Sequence, residues 1–160
     1  MINLESNIII RPARLSDIDQ ICQLYYETVR NVNFKDYSPE QIEVWSNGGL
    51  NADNWKRKID EQYFIVAEID GELTGFSSIA KDGYLDFMYV SKNCQRCGVA
   101  TALLNEIERN AFEQKNVQIY SHVSKTAKGF FEKMGYKHKE DLRDMYKGVL
   151  FINALMVKKF

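Results

Sequence analysis

The sequence predicts a mixed α/β fold in which helices cover both faces of a sheet. Two observations predict it. Apolar residues recur at helical spacing in some stretches, and they alternate or run continuously in others. Turn signals at Asp70-Gly71 and Lys81-Asp82-Gly83 divide the middle of the chain into three successive strands. The predicted order of elements is β-α-α-β-β-β-α-β-α-β-β.

The first part of the chain is mostly helical. Residues 8–12 read as a strand, and a helix follows with Ser16 as its predicted N-cap. Ser38 is the predicted N-cap of a second helix, with Pro39 in the first helical position. A short third helix is predicted over residues 53–59.

The remainder alternates strands with helices. A helix connects the strand over 84–90 to the strand over 117–122, which predicts that these two strands run parallel. The other elements predicted here are strands over 63–69, 73–80, 136–142 and 149–157, and helices over 98–113 and 124–134.

Length and composition predict one domain over residues 1–160. Hydrophobic residues make up 45% of the chain and the net charge is −1, so no large nucleic-acid footprint is expected. No apolar run approaches the roughly 20 residues of a membrane span. The N-terminus lacks a basic region followed by an apolar stretch, so we expect a cytoplasmic protein.

The three cysteines raise a metal or redox alternative. Cys94 and Cys97 have CxxC spacing, but a structural zinc site needs two further ligands. The remaining candidates, Cys22, His122 and His138, form no second pair at ligand spacing. We therefore expect no metal site.

The stretch from residue 88 to residue 104 predicts an anion site. It begins as a strand, passes through a polar loop and enters a helix near Gly98. The unpaired N–H groups and positive dipole at a helix start suit a phosphate, and the small Gly98 and Ala100 leave room for it. Neither GxxxxGK[ST] nor GxGxxG is present. A loop that binds nothing is the alternative.

The same stretch resembles the acyl-CoA pyrophosphate loop of the GNAT superfamily of N-acetyltransferases. That pattern is Val-x-Pro-x-x-Gln/Arg-x-x-Gly-x-Gly/Ala. Val90, Gln95, Gly98 and Ala100 match it, and Lys92 replaces the usual Pro.

A second stretch, from Ser124 to Tyr136, is similar to the superfamily's Asn-x-x-Ala-x-x-x-Tyr-x-x-x-Gly-Phe, with Phe131 in place of Tyr. Residues 37–45 and 153–158 resemble a bacterial subgroup of acetyltransferases. The resemblance covers about residues 8–160 and implies the GNAT fold, with splayed central parallel strands.

The resemblance also implies a function. It implies an N-acetyltransferase that moves the acetyl group of acetyl-CoA to a primary amine of a small molecule or protein by direct attack in a ternary complex. Late strands of this superfamily often pair across dimers, so a homodimer is an option. By resemblance, the residues expected to bind coenzyme A are Met88, Tyr89, Val90, Gln95, Arg96, Cys97, Gly98, Val99, Ala100, Thr101, Ser124, Ala127 and Phe131.

Acyl transfer to an amine needs a base for the ammonium, a donor for the oxyanion and, in many enzymes, an acid for the thiolate. The resemblance implies a backbone N–H near Val90 as the oxyanion donor. It also implies a tyrosine acid where this chain has Phe131. The thiolate then leaves unaided, or another group protonates it.

Four residues are candidates for proton transfer. Asp86 shares a strand face with Val90 by period-two counting, or else pairs with a neighbour in the sheet. His122 ends the other splayed strand, or is a surface histidine. The resemblance implies that the first helix, which carries Glu27, borders the acceptor site; otherwise Glu27 is solvated. Tyr146, in the late loop or strand near a predicted turn over 142–148, is an acid or simply packs.

The runner-up interpretation is an acyl-CoA-binding module with weak or lost catalysis. Its best argument is Phe131.

Overall fold

The computed structural model describes residues 7–160 and contains every predicted element. The third helix is longer than predicted, and so are the last two strands. The strands are β1 (Ile9–Pro12), β2 (Tyr63–Ile69), β3 (Glu72–Ile79), β4 (Leu85–Val90), β5 (Gln118–Val123), β6 (Lys137–Tyr146) and β7 (Val149–Lys159). The helices are α1 (Ile18–Asn31), α2 (Pro39–Gly48), α3 (Ala52–Glu61), α4 (Val99–Glu113) and α5 (Lys128–Lys133).

The strands form two antiparallel sheets, β1-β2-β3-β4 and β5-β7-β6. Within residues 7–160, the predicted parallel pairing of β4 and β5 is confined to one bridge between Tyr84 and Tyr120. Beyond that bridge the two strands diverge. The splayed arrangement is therefore confirmed, and the divergence opens a cleft between the sheets.

Two apolar clusters hold helices on opposite faces of the sheets. Under α4 the buried side chains are largely aliphatic, with Leu103, Leu104 and Ile107 fully buried. Under α1, α2 and α3 the cluster is rich in aromatic rings. Trp55 lies edge-on to Phe76, with ring centroids 5.4 Å apart. Burial of apolar area on both faces fixes the position of β4 between the two clusters.

Of the two predicted serine N-caps, one is confirmed and one is wrong. Ser38 caps α2, because its Oγ accepts a hydrogen bond from the Gln41 N–H at 3.2 Å. The Ser16 prediction is wrong, because a 3-10 turn precedes α1. Both carboxylate oxygens of Asp17 accept from Arg11 on β1 at 2.9 Å, and this ion pair holds the start of α1 against β1.

The predicted turn over 142–148 is also wrong. β6 continues to Tyr146, and only Lys147 and Gly148 connect it to β7. Both have positive φ, 48° and 79°, as a tight two-residue hairpin requires. Of the two placements open for Tyr146, loop or strand, the structure has the strand.

Within residues 7–160, no helix has both the length and the apolar character needed to cross a membrane.

Candidate active site

A cleft of about 1410 Å³ lies where β4 and β5 diverge. Its walls come from β4, the loop after it, the first turn of α4, the end of β5, α5 and the segment between α1 and α2. One side presents the predicted phosphate loop. The opposite side presents polar and aromatic side chains from elements that are far apart in the sequence.

The loop after β4 is braced from within. The Gln95 side-chain N–H groups donate to the carbonyl oxygens of Val90 at 2.8 Å and Ser91 at 3.2 Å. Gly98 has φ +86°, which a residue with a side chain adopts only under strain, and α4 begins immediately after it. The loop thus turns the chain sharply into the helix.

The first turn of α4 leaves backbone donors unpaired within the helix. The first intrahelical bond runs from the Ala102 N–H to the Gly98 carbonyl oxygen at 3.0 Å. The N–H groups of Val99, Ala100 and Thr101 precede it, and these residues line the cleft. No side chain of residues 7–160 caps this end. The arrangement fits a phosphate group, and Arg96 lies beside it.

The edge of β4 also faces the cleft. The Ser91 N–H bonds to Thr74 on β3, so the alternation of an antiparallel ladder turns the backbone groups of Met88 and Val90 away from β3. The carbonyl oxygen of Val90 already accepts from Thr28 Oγ1 at 3.2 Å and from Gln95. The Val90 N–H and both groups of Met88 are the ones directed toward a ligand.

Ser124, Ala127 and Phe131 line the opposite wall. The Ser124 Oγ accepts from the Ala127 N–H at 3.2 Å, so Ser124 supports the turn into α5. Phe131 is 2% exposed and packs edge-on against Tyr136, with centroids 5.1 Å apart. Its ring brings no proton donor to this wall.

Two of the predicted cofactor residues are placed differently from the rest. Cys97 does not line the cleft, and its thiol lies 3.4 Å from the Gln95 carbonyl oxygen. Tyr89 lines the cleft, but its hydroxyl lies on the α2 side and accepts from Trp45 Nε1 at 3.2 Å. Burial raises the pKa of Tyr89 to about 12, so its hydroxyl stays protonated at neutral pH.

The cysteines within the described chain are free. Cys94 packs against the aliphatic cluster, and burial raises the pKa of its thiol. That direction is opposite to what a metal-binding or redox-active thiol needs. Among residues 7–160, no three His, Cys, Asp or Glu side chains form a group that could hold a metal ion.

Asp86 lies at a β-bulge. Ser78 pairs with Phe87 and the next residue, Ile79, pairs with Leu85, so Asp86 is the extra residue. The period-two count from Val90 therefore does not carry through to Asp86.

The Asp86 carboxylate turns toward α3 instead of pairing within the sheet. Its Oδ2 accepts from Lys58 Nζ at 2.7 Å and from Gln62 Nε2 at 2.8 Å. These bonds hold the carboxylate by one oxygen, and Asp86 lines the cleft.

His122 also lines the cleft, from the end of β5. Its exposed ring lies edge-on to Tyr84, with centroids 5.2 Å apart. Burial, and then the charge of Asp86, raises the pKa of Tyr84, so this neighbouring hydroxyl stays protonated. Asp86, Tyr84 and His122 thus share one end of the cleft.

The other two candidates lie elsewhere. Glu27 lines a separate pocket on α1, 3.9 Å from the ammonium of Lys92. Tyr146 packs near Phe151, with ring centroids 6.5 Å apart, and does not line the cleft.

The interpretation of the sequence missed several cleft residues. Tyr84 on the bridge, Asn153 on β7 and Asn33 after α1 all line the cleft. The three residues lie on three segments far apart in the sequence, so no spacing in the sequence could have brought them together.

Comparison with known proteins places this fold and cleft in a family. The acetyltransferase (GNAT) domain family matches residues 33–159. The uncharacterised N-acetyltransferase YafP of Escherichia coli strain K12 is 31% identical over 151 residues, which cover 94% of this chain and 95% of YafP.

Two solved structures show the same fold. A GCN5-related N-acetyltransferase from Rhodopseudomonas palustris has a TM-score of 0.92 and 24% identity, with 95% of each chain covered. The PaiA N-acetyltransferase of Thermoplasma acidophilum, solved in complex with coenzyme A, has a TM-score of 0.79 and 22% identity, covering 96% of this chain and 99% of PaiA.

The fold and the cleft between its splayed strands are those of an acyl-CoA-dependent transferase. The chain belongs to the GNAT acetyltransferase family, which makes it an acetyl-CoA-dependent N-acetyltransferase by class.

Proposed function

We propose that this protein transfers the acetyl group of acetyl-CoA to a primary amine by direct attack in a ternary complex. The observation that carries the proposal is one cleft that joins the phosphate-binding turn of α4 to Asp86 and His122. Cofactor and amine can then enter the same opening between β4 and β5. Direct attack is favoured over an acyl-cysteine route because Cys94 packs in the aliphatic cluster with a raised pKa.

Each residue of the cleft then has a task. N–H groups from Gln95 to Thr101 bind the pyrophosphate, and the backbone groups of Met88 pair with the pantetheine arm beside Val90. Bound acetyl-CoA supplies the thioester, whose acetyl group moves to the amine nitrogen as the thiolate leaves. The Val90 N–H donates to the carbonyl oxygen as negative charge develops there.

We assign the general base to Asp86, with His122 as second candidate. Lys58 and Gln62 hold Asp86 through Oδ2, which leaves Oδ1 to take a proton from the incoming ammonium, directly or through water. Phe131 provides no acid, so the thiolate leaves unaided and takes its proton from solvent. The nitrogen releases its second proton to solvent after the attack. Glu27 and Tyr146 are weaker candidates because they lie outside the cleft.

The acceptor is a small molecule or a peptide amine with a cationic or flat body. Trp45 and Tyr84 offer aromatic surface in the cleft, and Asp86 places a carboxylate near them. The alternative function, an acyl-CoA-binding module without turnover, is favoured by Phe131 alone.

Calorimetric titration with acetyl-CoA, followed by thiol release against a panel of amines, tests the proposal. Saturable binding together with amine-dependent thiol release is the expected result. Binding with no release on any amine would favour the binding module. Absence of binding would contradict the assignment of the cleft.

A further inference from the structure

A short segment between α1 and α2 links the two walls of the cleft. This segment, residues 33–37, is called the strap below. Asp36 Oδ2 accepts from Thr126 Oγ1 at 2.7 Å, and the Tyr37 hydroxyl accepts from the Lys125 N–H at 2.9 Å. Before the strap, Thr28 on α1 donates to the Val90 carbonyl oxygen. The segment from Thr28 to Tyr37 thus connects the end of β4 with the turn into α5.

In the strap, a polar side chain is buried while the neighbouring aromatic side chain is exposed. Asn33 is only 7% exposed, whereas the adjacent Phe34 is 47% exposed. A phenylalanine releases more free energy on burial than an asparagine, so packing alone would turn Phe34 inward. Such a local conflict between sequence and structure is expected mainly at functional sites.

The buried group is not satisfied by the protein. Asn33 Oδ1 is closed off from solvent and has no hydrogen-bond partner among residues 7–160. An unpaired buried polar atom destabilises a fold, and native proteins retain few of them. Asn33 lines the cleft, and half a turn of its carboxamide exchanges the oxygen with the NH₂ group. After that half-turn, a ligand in the cleft can donate a hydrogen bond to the oxygen.

We propose that the Asn33 carboxamide hydrogen-bonds an amide of the pantetheine arm of acetyl-CoA. A carboxamide carries both an acceptor and donors, and it matches the N–H and C=O of a secondary amide. The contacts on both sides of Asn33 lead to Val90 and to the turn after Ser124, which flank the proposed cofactor path. Asn33 is then a binding residue for the cofactor arm. This inference rests on the proposed location of the cofactor, and not on the base or the acceptor.

Asn33→Leu tests the assignment with two probes, coenzyme A and adenosine 3′,5′-bisphosphate, which lacks the pantetheine arm. Calorimetry should show coenzyme A binding about tenfold weaker, the loss typical of one hydrogen bond, with bisphosphate binding unchanged. The unfolding midpoint without ligand should rise by roughly 3 °C, because leucine removes an unpaired polar group. Asn33→Ala, which adds no bulk, should weaken coenzyme A binding similarly.

Asn105→Leu is the control, because Asn105 is exposed on α4 and does not line the cleft. It should leave both affinities unchanged. Equal loss of both probes in the Asn33 variants, or a lower unfolding midpoint in both, would make Asn33 structural and overturn the proposal. An unchanged coenzyme A affinity with a raised KM for the amine would assign Asn33 to the acceptor instead. If the unaltered protein does not bind coenzyme A, the location of the cofactor fails first and this inference with it.

Discussion

The two ends of the cleft are built in different ways. The proposed cofactor end consists mainly of backbone groups from one continuous stretch, Val90 to Thr101, placed by the αL turn at Gly98. The proposed acceptor end consists of side chains from different elements, such as Asp86 on β4, Trp45 on α2 and Asn153 on β7. One end depends on backbone conformation, and the other depends on which side chains the fold brings together.

The difference explains which departures from the family pattern are tolerated. Lys92 replaces a proline in the cofactor loop, yet α4 still starts with free N–H groups. Because every residue except proline has a backbone N–H, we expect such exchanges to leave the donors of the loop in place. Phe131 has no equivalent compensation, because a hydroxyl lost from a side chain is not replaced by the backbone.

Gly98→Glu is expected to have the largest effect and to abolish measurable coenzyme A binding. At φ +86° a side chain strains the turn, and its carboxylate enters the space proposed for the phosphates. Calorimetric titration with coenzyme A measures the loss of affinity. Gly71→Glu is the matched control, because Gly71 has φ +81° and an added Cβ meets no atom within 4 Å. Both variants should lose similar stability. Unchanged affinity in Gly98→Glu would remove the pyrophosphate from this loop.

Asp86→Asn should impair acetyl transfer without impairing coenzyme A binding. Turnover should fall about 100-fold, the lower range for loss of a general base, while the Kd for coenzyme A stays within about twofold. Thiol release at saturating acetyl-CoA, with an amine that the unaltered protein accepts, measures the effect. Asp60→Asn, an exposed position on α3, should retain full activity. A fully active Asp86→Asn would transfer the role of base to His122.

Phe131→Tyr tests whether an acid is missing. We expect turnover to change by less than about threefold, because a leaving thiolate needs little help and a general acid adds nothing once departure is fast. The same thiol-release assay measures the turnover of Phe131→Tyr. Phe112→Tyr, on the exposed surface of α4, is the control. A gain of tenfold or more would instead indicate a transferase that lost its acid, and would strengthen the binding-module alternative.

Thr101→Val should have the smallest effect on coenzyme A affinity. It tests whether backbone groups, and not side chains, form the proposed phosphate site. The substitution removes a hydroxyl but keeps the N–H group in the first turn of α4. Coenzyme A affinity should fall by less than about threefold, since one exposed hydroxyl contributes little. A loss comparable to that of Gly98→Glu would show that side chains, and not the backbone, dominate phosphate binding.

The predictions from sequence succeeded where the determining interactions are local. The Asp70-Gly71 turn, the Ser38 cap and the start of α4 each depend on a few neighbouring residues, and all three lie where predicted. They failed where pairing between two elements decides. Arg11 on β1 pairs with Asp17, six residues later, at the start of α1, and β7 pairs with β6 through the residues predicted as a turn.

The sequence by itself determined the fold class and the strand–loop–helix turn at Gly98, because period, turn chemistry and helix ends are properties of contiguous residues. Its resemblance to the GNAT superfamily implied the splayed strands. Only the tertiary structure decided the rest. The bulge at Asp86, its ion pair with Lys58, and the placement of Glu27 and Tyr146 outside the cleft arise from packing between elements far apart in the chain. The buried Asn33 oxygen belongs to the same group, since burial is a property of the assembled fold.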